Sequence, residues 1–233
     1  MEKTIDGKEL GLILVRKNLR ARHYSLRIRD GKIIATIPNR GTEKEMMSFI
    51  DSKRERLATM LAKCPKRPVL NEETRIMTYT FELHIFRTQR TNIYVSLKEG
   101  ILHIACPEET DFDNGQIQQK LSEILAKALR YEAIRVLPSR VSILSKTHGF
   151  TYQGVSIRKS GSRWGSCSSK KQINLSVSLM FLPEYLIDYV LLHELCHTLE
   201  MNHSERFWAL MNKVTNGSAR KFQKELKGHR VFF

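Results

Sequence analysis

Apolar and polar residues alternate along the first forty positions. Leu10 to Val15 and Tyr24 to Ile28 read as strands, with Leu26 and Ile28 set against Arg27 and Arg29. After the turn at Asp30-Gly31, Ile33 to Ile37 reads as a third strand, closed by Pro38. A helix from about Thr42 to Ala62 follows. The order then recurs: Thr78 to Arg87, Asn92 to Leu97 and, after Glu99-Gly100, Ile101 to Ala105 closed by Pro107, with another helix over about Asn114 to Val136. Gly31–Pro38 and Gly100–Pro107 are the clearest matching pair, and Arg67-Pro68-Val69-Leu70-Asn71 reads as the connection between the two units. Ile117, Leu121, Ile124, Leu125, Ala128 and Leu129 give the second helix an apolar face. Pro138 predicts a kink or break, with a short helix resuming over Val141 to Lys146.

Further on, Tyr185 to Leu192 is apolar nearly all round, the mark of a buried helix. It runs into His193-Glu194-Leu195-Cys196-His197, with His203 six residues later. Histidines four apart on a helix share a face, about 6 Å apart along the axis, so both imidazoles can reach one ion. A glutamate beside the first can act as general base toward a metal-activated water, as in H-E-x-x-H zinc hydrolases. A buried helix has little other reason to carry two histidines and a glutamate in one turn. Cys196 points off the metal face and reads as a small buried hydrophobe.

Catalytic zinc keeps three protein ligands and an open position. Glu200 shares the helical face with His193, but about 10 Å away along the axis. Glu225 would serve in a thermolysin-like arrangement, with no local support. His203 fits best. The helix must then end between Leu199 and His203, with Asn202 a plausible left-handed turn residue and a candidate substrate contact. Ser204 reads as the cap of a helix from Glu205 to about Val214, with Phe207, Trp208, Met211 and Val214 as its buried stripe. The i, i+4, i+10 spacing equals that of the metzincins, but Glu200 stands where their glycine does and no Met-turn is evident.

Arg163-Trp164-Gly165-Ser166-Cys167 and Ile173-Asn174-Leu175-Ser176-Val177 look like a hairpin, whose edge would offer backbone pairing to an extended substrate. Arg163 is the residue there that could meet a substrate carboxylate, phosphate or oxyanion. Trp164 reads as packing under the helix and Gly165 as allowing close approach.

Composition adds bounds. The 233 residues suffice for one or two domains, and 41% hydrophobic content is globular. No apolar run is long enough to span a bilayer, and Met1 to Asp6 lacks the apolar core of a signal peptide. Cys64, Cys106, Cys167 and Cys196 are widely spaced and read as free thiols, giving a cytoplasmic expectation. A net charge of +15, with 39 Lys and Arg against 24 Asp and Glu, favours contact with polyanions such as nucleic acid or nucleotides. Basic residues gather at Arg16, Lys17, Arg20, Arg22, Arg27 and Arg29 and again from Lys213 to Arg230. A solvated surface explains them equally well, since no nucleic-acid motif accompanies them.

On Arg163–Cys167, His193–His197 and Asn202-His203-Ser204 with Phe207-Trp208, the chain resembles the YgjP-like metallopeptidases, relatives of the SprT-like minimal zincins. The resemblance implies one zinc ion held by His193, His197 and His203, with Glu194 as base, and a peptide or protein substrate. Ser176 departs from it, standing where the family commonly has asparagine. The resulting expectation is an α+β protein: a β-rich N-terminal module over residues 1–70, then a second strand–helix unit and a zincin-like helical catalytic domain with a short sheet over 71–233, the catalytic core beginning near Asn114. The leading function is a zinc-dependent hydrolase, a cytoplasmic metallopeptidase. Its rivals are a zinc-dependent nucleotide phosphohydrolase and a nucleic-acid-associated module with structural zinc.

Overall fold

A computed structural model describes residues 2–29, 31–62, 69–160 and 163–229; Asp30, Cys64, Arg67, Pro68 and Arg230, singled out above, lie outside the described residues. The chain divides into two compact units, Met1–Pro68 and Val69–Phe233. The fold is mixed α+β, as the pattern predicts.

In the first unit the three expected strands are joined by an unforeseen one. The strands β1 (Glu2–Asp6), β2 (Leu12–Asn18), β3 (Ser25–Arg29) and β4 (Lys32–Pro38) make a sheet in the order β1-β2-β4-β3. In it β2 and β4 run parallel and the outer pairs antiparallel. The first strand escapes pattern reading because it lies at an edge and only Ile5 is partly buried, which leaves no alternation to detect. The single expected helix is two: α1 (Glu43–Ser52) and α2 (Arg54–Ala62). The break at Lys53 turns Arg54 so that its guanidinium donates to the Gly7 carbonyl at 3.0 Å and to the Asp51 carboxylate at 2.5 Å. Ile13, Ile33, Ala35, Met46 and Ile50 form this unit's own core.

The second unit opens with the same wiring. The strands β5 (Ile76–Met77), β6 (Glu82–Thr88), β7 (Tyr94–Lys98) and β8 (Ile101–Pro107) pair in the order β5-β6-β8-β7, again with a parallel centre and antiparallel flanks. The matching segments Gly31–Pro38 and Gly100–Pro107 supply the equivalent strands β4 and β8. Gly31 and Gly100 both take left-handed φ values, +69° and +75°, at the turns entering them, a conformation glycine adopts without a Cβ penalty.

The helix α3 (Gly115–His148) corrects the expected break at Pro138, for it runs uninterrupted through it. Leu121, Leu125, Leu129, Ala133, Leu137, Val141 and Ser145 are buried at every fourth position straight across the proline. A proline inside a helix costs roughly 3 kcal/mol. Burying Leu137 and Val141, at about 1.5–3 kcal/mol each, outweighs it. A three-stranded sheet follows, ordered β10-β11-β9 from β9 (Gly154–Arg158), β10 (Gly165–Cys167) and β11 (Gln172–Ser176). The β10–β11 pair is the expected antiparallel hairpin, while β9 joins β11 in parallel. The chain ends with α4 (Glu184–Cys196), α5 (Glu205–Val214) and α6 (Ala219–Leu226). Among the described residues no helix is long and apolar enough to cross a membrane.

Candidate metal centre

The helix α4 is buried on nearly every side: Leu186, Ile187, Tyr189, Val190, Leu191, Leu192 and Leu195 all lie in the core. It is pinned from α3 by Arg140, which donates to both Asp188 oxygens at 2.7 and 2.6 Å and lies 2.8 Å from Glu184. These carboxylates hold the Arg140 pKa above its ordinary value, the Asp188 hydrogen bond contributing most. The helix carrying the histidines is therefore fixed at its polar end as well as along its apolar sides.

The chain leaves α4 earlier and differently than its residues predict. The regular helix ends at Cys196, and residues 197–199 form a turn closed by Thr198, Leu199 and Glu200 N–H groups on the Leu195 and Cys196 carbonyls. Asn202 is not left-handed, because these bonds already reverse the chain. Ser204 caps α5 by accepting from the Phe207 N–H, as expected, and this places His203 opposite the helix it follows.

His193, His197 and His203 are thereby brought together, with one ring nitrogen from each lying within 4.8 Å of the others. His193 Nε2 is 3.2 Å from His197 Nε2 and 3.1 Å from His203 Nε2. At metal–nitrogen bonds near 2.0–2.1 Å, the edge of a coordination tetrahedron is about 3.3–3.4 Å, so both separations suit one shared ion. His197 Nδ1 lies 3.0 Å from the Glu200 carbonyl. A carbonyl can only accept, so Nδ1 carries the proton and Nε2 keeps its lone pair for a metal. Burial, and then the neighbouring rings, push the His193 pKa down to about 3. Burial also lowers that of His197, so in both rings the surroundings favour the neutral, ligating form. The donor set fits a borderline-soft divalent cation and forms a candidate metal site.

Phe207 forms the floor. Its ring centroid lies 4.9, 4.6 and 4.8 Å from those of His193, His197 and His203, stacking on His197 at 26°. The sequence shows Phe207 only as part of a buried stripe, which a fully buried aromatic satisfies equally well without touching a site. Two rejected ligands find other work. Glu200 contributes its carbonyl rather than its carboxylate, and Glu225 hydrogen-bonds Tyr185. Cys196 is buried among apolar groups, which push its thiol up to about 12.

Glu194 is buried, with Oε2 lacking any hydrogen-bond partner. Burial raises its pKa to about 8, against the opposing pull of Arg163. A buried carboxylate oxygen without a donor costs about 1–3 kcal/mol. Gly165 makes the arrangement possible: a Cβ there would lie 2.7 Å from Glu194 Oε1 and 2.8 Å from Cγ. Trp164 packs partly buried against the core, and Arg163 and Asn202 are exposed.

A family model described as YgjP-like, metallopeptidase domain, matches residues 22–229. No curated protein matches. Among solved structures, the metallopeptidase zymogen abylysin of Pyrococcus abyssi is 25% identical over 39% of this chain and 91% of its own, with a TM-score of 0.36. With a three-histidine cage and the family match extending over most of its length, the chain belongs to the YgjP-like metallopeptidases.

Proposed function

We propose that the protein is a zinc peptidase in which His193, His197 and His203 hold the ion and Glu194 is the general base. The orphaned Oε2 of Glu194, the residue next in the chain to His193 of the histidine cage, supports this reading. Zinc, when bound, supplies Lewis-acid polarisation of a carbonyl and acidifies water. The residues do the rest. Glu194 takes a proton on its buried carboxylate and returns it to the leaving amine; a bound cation beside it would favour the ionised, proton-accepting form over the neutral one that burial alone favours. His197 is held in its ligating tautomer by the Glu200 carbonyl. The sheet order leaves β10 at an edge, free to pair with an extended peptide. Asn202 and Arg163 are proposed substrate contacts. The three described cysteines are free, which supports a reducing compartment such as the cytoplasm.

The test is a zinc-loaded enzyme assayed on a peptide library and, in parallel, on nucleoside triphosphates. Peptide cleavage with no triphosphate turnover is expected, abolished in Glu194→Gln with zinc still near one per chain. His203→Ala should lower zinc occupancy. Triphosphate hydrolysis without peptide cleavage would replace this reading with a phosphohydrolase, and full activity of Glu194→Gln would remove the base.

A further inference from the structure

The small sheet is two-faced. Ile173 and Leu175 of β11 are buried toward the core, while the alternate position Asn174 lies between Ser156 of β9 and Ser166 of β10 in register. Asn174 Oδ1 accepts from Ser156 Oγ at 2.7 Å and from Arg158 Nε at 3.3 Å, and its Nδ2 lies 3.5 Å from Ser166 Oγ. This polar row borders a cavity of about 440 Å³ whose walls include Arg158, Lys159 and Arg163. No acidic residue lines it among the described residues. Both arginines are exposed, and neither forms an ion pair with a described carboxylate. Among the described residues Arg158 engages only its Nε, leaving the two Nη groups of the fork without a described partner. Gly165 lines the cavity and also abuts Glu194, so one residue separates the cavity from the proposed base.

We propose that this cavity is a substrate subsite for a carboxylate, with Arg158 and Arg163 as its specificity-determining residues and Asn174 positioning Arg158. The inference rests on the peptidase reading. A peptide paired along the β10 edge projects alternate side chains to opposite faces of the sheet, so one residue near the scissile bond meets the polar face and its cations. Arginine forks match carboxylates in planar, bidentate fashion. A glutamine of the same shape would leave the guanidinium charges unmatched. Charge-assisted hydrogen bonds of this kind separate the two by roughly tenfold to a hundredfold.

The experiment compares zinc-loaded wild type on matched peptides differing by Glu or Gln at each position around the cleaved bond, in C-terminally free and amidated forms. At one position the Glu peptide should have a kcat/KM about tenfold or more above its Gln twin. Retention of that ratio in amidated peptides assigns the subsite to a side chain, and its restriction to free-acid peptides assigns it to the C-terminal carboxylate. Arg158→Glu should reverse the preference toward a Lys peptide, and Arg158→Gln should abolish it, with melting temperatures unchanged. A Glu/Gln ratio within twofold at every position for both termini, or a preference that survives Arg158→Glu, overturns the subsite while leaving the peptidase reading intact. Cleavage of no peptide in either set overturns both.

Discussion

Gly165→Ala isolates the packing that aims the proposed base. Gly165 has no positive φ, so the backbone accepts alanine without strain. The new methyl would stand 2.7, 2.8 and 2.9 Å from Glu194 Oε1, Cγ and Cδ, where ordinary contact begins near 3.4 Å. All three atoms must retreat by about 0.5–0.7 Å, yet Glu194 is 5% exposed and rooted in a helix buried on nearly every side. Overpacking of this kind costs about 1–3 kcal/mol. At roughly 2–4 °C per kcal/mol, melting falls by about 2–12 °C. Displacing a catalytic group by up to 1 Å costs about a hundredfold in rate, or roughly 2.7 kcal/mol of barrier. Zinc stoichiometry should stay near one, since the methyl meets Glu194 rather than an imidazole. Peptide turnover, metal analysis and thermal melts separate these effects. In a Glu194→Ala background the same methyl should cost almost no stability, because its obstacle is gone. An equal loss of stability in both backgrounds, or undiminished turnover of folded Gly165→Ala, refutes the reasoning.

The raised Glu194 pKa makes metal-free stability fall with pH. The native state holds a proton between the unfolded value near 4.5 and about 8, so that contribution is full below 4.5 and lost by pH 8. Denaturant titrations of metal-free protein should show Glu194→Gln gaining on wild type by on the order of 3–5 kcal/mol from pH 5 to pH 8.5, and a pH-independent difference contradicts this. Arg140→Met removes the clamp between α3 and α4. With 32% of its side chain still exposed, we expect a loss of about 1–2 kcal/mol and a melting point roughly 2–8 °C lower; unchanged melting would mean α4 is held by its apolar sides alone. Phe207→Ala should destabilise by about 3–5 kcal/mol and weaken zinc affinity roughly tenfold or more in a chelator competition. Met211→Ala, equally buried one turn along α5, is the control; equal zinc affinity in the two variants rejects the aromatic floor.

The residues that converge through local geometry were the legible ones. His193 and His197 are bound by helical spacing, and Ser204 announces the new helix that brings His203 round. The paired segments at Gly31 and Gly100 expose the recurrent strand order, because both carry the turn glycine and the closing proline. Contacts between distant segments were not legible. No local pattern tells that Gly165 faces Glu194, that Arg140 grips Asp188, or that Glu200 serves through its backbone. Pro138 misleads for the same reason: its penalty is local, whereas the burial that overrides it comes from α4, β9 and the turn after β11, on which α3 packs. Asn202 suits a left-handed turn by residue type, but the turn at 197–199 closes instead on the Leu195 and Cys196 carbonyls.

The two four-stranded sheets share one strand order, β1-β2-β4-β3 and β5-β6-β8-β7, in separate units of the chain. Each copy satisfies its own ladder and fills its own interior, the condition for a unit that folds on its own contacts. Residues 1–68 hold 17 Lys and Arg against 8 Asp and Glu, a net +9 of the chain's +15, and none of the three candidate metal ligands. More than half of the basic excess and all of the candidate metal ligands therefore belong to different units of the chain.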